Sequence, residues 1–197
     1  HVKHIIIGYD HHFGRNRTAN INDLKAFGEL YGFKVTEISA QEIDEVTVSS
    51  TKIRKALLDG DIKTANTFLG YNFMLTGIVI KGKGLGKQLK FPTANISIKE
   101  SYKLIPKNGV YVVKAKIEDA VVFGMMNIGT NPTVNGKVQS IEVHFFDFSK
   151  DIYGLQLEVE ILERLRDEQK FGSLDDLKDQ LAKDLINSKQ FLNQNDA

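Results

Sequence analysis

The spacing of apolar residues changes character near residue 70. Before that point, short apolar runs alternate with helical periods. Residues 5–7 are an apolar strand that stops at Gly8, and residues 34–38 read as a second strand. Between them, Ile21, Leu24, Phe27, Gly28 and Tyr31 mark one face of a helix. Two short helices follow over residues 49–58 and 61–69, separated by Asp59-Gly60 and closed by Gly70. Strand, helix, strand, helix predicts part of a parallel α/β sheet.

From residue 74 the period is two. Residues 74–81, 110–117, 121–128, 138–146 and 155–162 are predicted strands, with turn signals at Lys107-Asn108-Gly109, Glu118-Asp119 and Asn135-Gly136. Many short strands with little helix predict an antiparallel barrel or sandwich. A last helix begins after Ser173, with Asp176 placed to complete a capping box. Its apolar stripe is Leu174, Leu177, Leu181 and Leu185, expected to pack on the barrel. The domain boundary is expected near residues 70–73, with no long linker.

Composition narrows the classes. A chain of 197 residues with 42% apolar content has enough material for a real core. The net charge of +1 gives no bulk attraction for nucleic acid. The absence of cysteine excludes disulfides, zinc–thiolate sites, iron–sulfur clusters and thiol catalysis. No apolar run approaches the roughly 18 residues of a membrane span, and no signal peptide is visible. A cytoplasmic protein without nucleic-acid or membrane partners is the expectation. A strand that starts almost at residue 1, with no initiator methionine, suggests a fragment of a longer chain.

The segment richest in chemistry is residues 81–95, KGKGLGKQLKFPTAN. Lys81, Gly82, Lys83, Gly84, Gly86 and Lys87 combine backbone that can approach an anion with positive charge. A solvated hairpin explains that half equally well. Thr93 and Asn95 then offer two oxygens, two residues apart, after a rigid Phe91-Pro92 pair. Hydroxyl and amide oxygens beside phosphate suit magnesium. A side-chain-to-backbone turn bond is the alternative. A Walker A loop is excluded, because Gly-Lys-Ser/Thr and its following helix are missing.

On the strand over residues 141–146, Glu142 and His144 face away from Ile141, Val143 and Phe145. Glu142 suits a base that takes a hydroxyl proton, or a surface carboxylate paired with a lysine on the next strand. Residues 164–171 form a charged run, either a solvated loop or a flap over a ligand. In the first half, Ser50, Thr51 and Arg54 open a helix where an anion can bind, or simply cap it. Asp10 follows the first strand, where ligands bind in open α/β sheets.

In their order, these segments resemble the bacterial bifunctional riboflavin kinase/FAD synthetase family. The resemblance rests on residues 8–17, 48–54, 57–61, 77–95, 109–111, 127–133, 142–144, 147–148, 151–154 and 165–168, and covers nearly the whole chain. It implies a Rossmann-like nucleotidyltransferase remnant over 1–72. A six-stranded antiparallel riboflavin kinase barrel with a C-terminal helix follows over 73–190.

By this resemblance, Thr93 and Asn95 match the magnesium and ATP residues. Lys81, Gly82, Lys83, Gly84, Gly86 and Lys87 match the phosphate-covering loop, Asn131 the nucleotide side and Glu142 the base for the riboflavin 5′-hydroxyl. Leu165, Arg166, Glu168 and Phe171 match the flavin flap. Asp10, Ser50, Thr51 and Arg54 match a vestigial adenylyltransferase site in the N-terminal module. Two departures stand out. The family's His-x-Gly-His motif is missing, so adenylyl transfer from FMN to FAD is expected to be lost. Lys90 stands where bacterial members commonly have glycine. The alternatives are a non-catalytic flavin- or nucleotide-binding barrel and a nucleic-acid-binding barrel, the second disfavoured by charge.

Overall fold

The computed structural model describes residues 2–40, 42–43, 46–82, 84–133 and 136–195. It divides into two compact units, His1–Ser49 and Ser50–Ala197. In the first unit, β1 (His4–Gly8) pairs in parallel with β2 (Lys34–Ile38), and α1 (Ile21–Tyr31) lies between them in sequence. Asn20 caps α1 in a reciprocal box with Asp23. Gly32 closes the helix at φ 72°, a left-handed value natural to glycine. Leu24 and Gly28 are buried, but Phe27 and Tyr31 of the expected face remain exposed. A two-stranded sheet is too narrow to cover the full stripe of an eleven-residue helix. A short antiparallel pair, β3 (Glu42–Ile43) and β4 (Val46–Thr47), completes this unit.

The second unit opens with α2 (Ser50–Asp59) and α3 (Ile62–Leu69). Asp61 caps α3 by accepting the Thr64 N–H, and Gly70 ends it at φ 75°. The strands are β5 (Met74–Ile80), β6 (Ala94–Ser97), β7 (Gly109–Ile117), β8 (Ala120–Thr133), β9 (Gly136–Phe145) and β10 (Gln156–Arg166). Among the described residues these six close a barrel in the order β10-β5-β6-β9-β8-β7. Every pairing in it is antiparallel. Closure leaves no strand edge open to another chain.

Alternation predicted five of these strands to within a few residues. It missed β6, which holds only four residues. It also ended β10 too early, leaving Arg164–Arg166 in a loop.

The barrel interior is filled by apolar residues such as Leu75, Tyr111, Met126, Ile128, Val143 and Val159. Burial of each aliphatic side chain contributes about 1.5–3 kcal/mol. Ala56, Leu57, Ile62 and Ala65 join the same core, so α2 and α3 belong physically to the barrel unit. Asn66 fixes the attachment: its Nδ2 donates to the Ile161 carbonyl at 2.9 Å and its Oδ1 accepts from the Phe73 N–H at 2.8 Å. The compact unit therefore starts at Ser50, ahead of the boundary expected near residues 70–73.

The C-terminal helix α5 (Leu174–Asn195) begins where Ser173 Oγ accepts the Asp176 N–H at 3.1 Å. Of the leucine stripe only Leu174 is exposed; Leu177, Leu181 and Leu185 are half-buried, on the same face as the fully buried Asp184 and Ser188. A polar pairing of Asp184 with the barrel adds to that inward face.

Candidate active site

The Gly/Lys loop leaves β5 at Ile80 and re-enters the barrel at Ala94, with one helical turn, α4 (Leu85–Gln88), inside it. Two of its glycines, Gly82 and Gly86, lie against the two residues singled out as cation ligands. A Cβ on Gly82 would collide with the Asn95 amide. One on Gly86 would collide with the Phe91 carbonyl and come within 3.3 Å of Thr93 Oγ1. Lys90 has φ 66°, so a lysine occupies the left-handed conformation that glycine adopts without strain. Lys83 lies outside the described residues.

The Phe91-Pro92 turn is held from β9. A carbonyl can only accept, so His144 Nδ1–H donates to the Pro92 oxygen at 2.8 Å. The His144 ring meets Phe91 edge-on at 5.3 Å. This clamp brings Thr93 to β9, where its hydroxyl donates to Glu142 Oε2 at 3.2 Å. Among the described residues no lysine pairs with Glu142 across the sheet; its neighbours in register are Asn95 and Asn127.

The register extends that relation around the wall. Asn95, Glu142, Asn127, Val110 and Arg166 form one transverse row through β6, β9, β8, β7 and β10. Residues directly opposite one another share a face, and alternate residues such as Val143 and Met126 fill the interior. The row therefore lies on the outer surface of the barrel. All five residues line a cleft of about 710 Å³, roofed by the Gly/Lys loop and walled by Phe171, Leu177 and Leu181. A smaller cleft of about 430 Å³, between β6, β9 and the segment after β6, shares Asn95 with it.

Two arginines near the end of β10 diverge because the strand bulges. The register slips between Ile161 and Glu163, and again between Arg164 and Arg166. Arg164 pairs in register with buried Tyr111, its guanidinium 5.8 Å from the ring, and bonds the Asn108 carbonyl and Asp167. Burial pushes the Tyr111 phenol up, and its hydroxyl donates to the Lys107 carbonyl. Arg164 and Lys107 together hold the Asp167 carboxyl below its ordinary range. Arg166 turns to the cleft instead and grips Asp184 of α5 by Nε at 2.9 Å and Nη2 at 2.6 Å. The anticipated flap is therefore tied down at its base.

Of the residues assigned to the flap, Arg166, Glu168 and Phe171 line the cleft and Leu165 does not. Glu168 accepts the Asn108 side-chain amide at 3.1 Å and the Thr130 N–H at 3.3 Å, which seats the flap on β8. Lys81, Gly82, Gly84, Gly86, Thr93 and Asn95 line the cleft as well, and Lys87 is on α4 outside it. Asn131 is on β8 opposite Val138. Asp10 follows β1 in the first unit, while Ser50, Thr51 and Arg54 open α2 in the second, with Arg54 Nη1 donating to Ser50 Oγ at 3.4 Å. Sequence reasoning missed Asn127 and Asp184. A lone asparagine on a strand carries no signal, and an aspartate amid leucines reads as part of a solvated face.

A protein-family model for riboflavin kinase matches residues 69–192, more than half of the chain. The chain belongs to the riboflavin kinase family. A FAD synthetase model matches residues 1–52. The chain is 42% identical to the bifunctional riboflavin kinase/FMN adenylyltransferase of Haemophilus influenzae over 194 residues, 98% of this chain and 62% of that protein. The Escherichia coli K12 protein of the same description is 37% identical over 96% of this chain and 60% of its own length. The chain thus spans under two thirds of these relatives. A crystal structure described as a macrolide-efflux protein from Streptococcus pneumoniae superposes with TM-score 0.83 at 36% identity, covering 93% of this chain and 60% of that one. That description belongs to the other protein; the shared property is the fold. Among the described residues, no helix is long and apolar enough to cross a membrane.

Proposed function

We propose that the barrel transfers the γ-phosphate of ATP to the ribityl 5′-hydroxyl of riboflavin, giving FMN and ADP. One observation carries the reading: Thr93, Asn95 and Glu142 meet at a single point beneath a glycine loop packed directly against them. The larger cleft has an apolar wall for a flat ring and a carboxylate at its end. The smaller cleft reaches the same Asn95 from the other side and would hold the nucleotide. Two substrates entering from opposite sides would meet at Glu142.

In this mechanism Glu142 accepts the hydroxyl proton as the ribityl oxygen attacks phosphorus in line. The bond from the γ-phosphorus to the bridging oxygen breaks, and ADP departs with that electron pair. Thr93 keeps the carboxylate aimed, because its one proton is spent on Glu142. Its lone pairs are left for a cation. The hydroxyl of Thr93 and the amide of Asn95 fit magnesium, which takes few protein oxygens and completes its shell with phosphate and water. When bound, that ion neutralises the charge developing on the phosphates. Loop N–H groups, with Lys81 at the cleft, add to the same effect.

Residues 73–190 would form the kinase domain, and residues 1–72, with Asp10, Ser50, Thr51 and Arg54, part of an FMN adenylyltransferase module. A cytoplasmic setting fits this assignment. The test is phosphate transfer from Mg-ATP to riboflavin by this chain, compared with Glu142→Gln. The variant is expected to lose about 10²- to 10⁴-fold in turnover with flavin binding retained. Flavin binding without turnover in the unaltered chain would favour the non-catalytic barrel instead.

A further inference from the structure

Asp184 is 1% exposed, yet it is a carboxylate in the middle of a helix. Arg166 holds it in a two-pronged pair, with Nε at 2.9 and 3.1 Å from its two oxygens and Nη2 at 2.6 Å from Oδ2. Gln180 Nε2 donates to Oδ1 at 2.9 Å, and Ser188 Oγ–H donates to its main-chain carbonyl at 2.7 Å. Burying such a pair is no gain over apolar packing, because desolvation cancels most of the attraction. The geometry of the pair is therefore more informative than its strength.

That geometry lies in the lining of the cleft, where both Arg166 and Asp184 are found. Arg166 closes the transverse row that begins at Asn95 and Glu142. Its guanidinium lies 6.0 Å from the Phe171 ring, and Nη1 donates to the Asp167 carbonyl at 3.0 Å. One and the same side chain thus fixes the start of the flap, supports its aromatic residue and sets where α5 sits. On the other side, α5 contributes Leu177 and Leu181 to the cleft, two turns and one turn before Asp184. Asp184 and Ser188 are the fully buried residues of the helix, on the face where Leu177, Leu181 and Leu185 are half-buried. The Arg166–Asp184 pair is thus the charged tie between the flap and the helix that carries the Leu177–Leu181 wall.

We infer that Asp184 is a positioning residue for the flavin: through Arg166 it sets the separation of the two walls that grip the aromatic ring of the acceptor. It touches neither reacting atom nor nucleotide. Gln180 supports it by limiting rotation of its carboxylate. This rests on the kinase reading above, and the effect falls on one substrate only.

The test is steady-state kinetics with both substrates varied, together with riboflavin binding followed by flavin fluorescence. Asp184→Asn preserves shape and removes the charge. It is expected to raise the riboflavin KM and Kd about tenfold, leave the Mg-ATP KM within twofold and change kcat less than threefold. Gln180→Leu is expected to shift the riboflavin KM two- to threefold in the same direction, with melting temperature nearly unchanged. This second variant decides the matter if Asp184→Asn does not fold. A riboflavin KM unchanged in a folded variant, or equal rises for both substrates, would overturn the inference. Absence of phosphate transfer by the unaltered chain would instead overturn the kinase reading, and a normal riboflavin Kd in Asp184→Asn would then sink this inference as well.

Discussion

The Thr93 hydroxyl donates to the Glu142 carboxylate across 3.2 Å, joining residues that are 49 positions apart. The bond uses the hydroxyl's single proton and one carboxylate oxygen. What remains is a pair of lone pairs on one residue and a free basic oxygen on the other, side by side. On the proposed kinase reading, cation binding and proton acceptance would fall to neighbouring groups of this one cluster. Replacement of Thr93 by valine keeps the shape and removes both oxygen functions. Activity is expected to fall about 10- to 100-fold, the cost typical of losing a group that orients a catalytic partner. Phosphate transfer at increasing magnesium checks it: the half-saturating concentration should rise in Thr93→Val. An unchanged magnesium dependence would remove Thr93 from the cation site.

Gly82 tests the roof of the site. There is no space for a Cβ beside the Asn95 amide, so Gly82→Ala must push that amide aside. The neighbour is a short side chain, and the barrel should be undisturbed. An off-rotamer displacement costs about 0.5–1.5 kcal/mol. The Mg-ATP KM is expected to rise several-fold to about tenfold, with a melting temperature within a few degrees of the parent. A normal KM would mean that the loop does not need this close approach.

Gly60 tests the attachment of α2 and α3. It turns between the helices at φ 84°, and a Cβ there would lie 2.7 Å from Arg164 Nε. Among buried side-chain polar atoms of the described residues, that Nε has no hydrogen-bond partner. Gly60→Val adds left-handed strain of about 1–2 kcal/mol and displaces a buried arginine. Thermal unfolding should shift down by roughly 4–8 °C, given about 2–4 °C per kcal/mol at this size. No shift would mean that the helical hairpin detaches from the barrel without cost.

Asp167 predicts the acid limb of stability. Hydrogen bonds and charge from Arg164, then Lys107, lower its pKa from the ordinary 3.8. A carboxyl more acidic in the folded state binds fewer protons than in the unfolded chain. Its contribution is present above pH 3.8 and is lost as pH falls through the lower folded value. Melting temperature measured from pH 5 to pH 2.5 should therefore fall less steeply in Asp167→Asn. The two proteins should differ most near neutrality and converge in acid. Parallel curves would show that the contacts do not persist in solution.

Much of the site was legible as residue types in order. Alternation placed Glu142 and His144 on the face opposite Val143, and burial confirms that division. The glycines, Thr93 and Asn95 suggested phosphate and a hard cation by their chemistry, but a solvated hairpin and a turn bond accounted for the same residues. Arg166 was legible only as a charge in a run of charges. Its neighbours in that run gave no hint that it would enter β10, or that a bulge would send it to the opposite face from Arg164.

The sequence by itself determined which residues can be buried, which strands alternate, and which side chains have oxygens or charge to offer. Those are local properties, set by side-chain chemistry and by periods of 2 and 3.6. Only the tertiary structure decided the register that lines Asn95, Glu142 and Asn127 in one row, because alternation fixes a face but not the neighbour across it. It also decided that Asp184, 18 positions away in the chain, completes Arg166, and that α2 and α3 share the barrel's core. Both depend on packing between elements distant in sequence, where the cost of an unpaired buried charge and the gain from apolar contact are settled together.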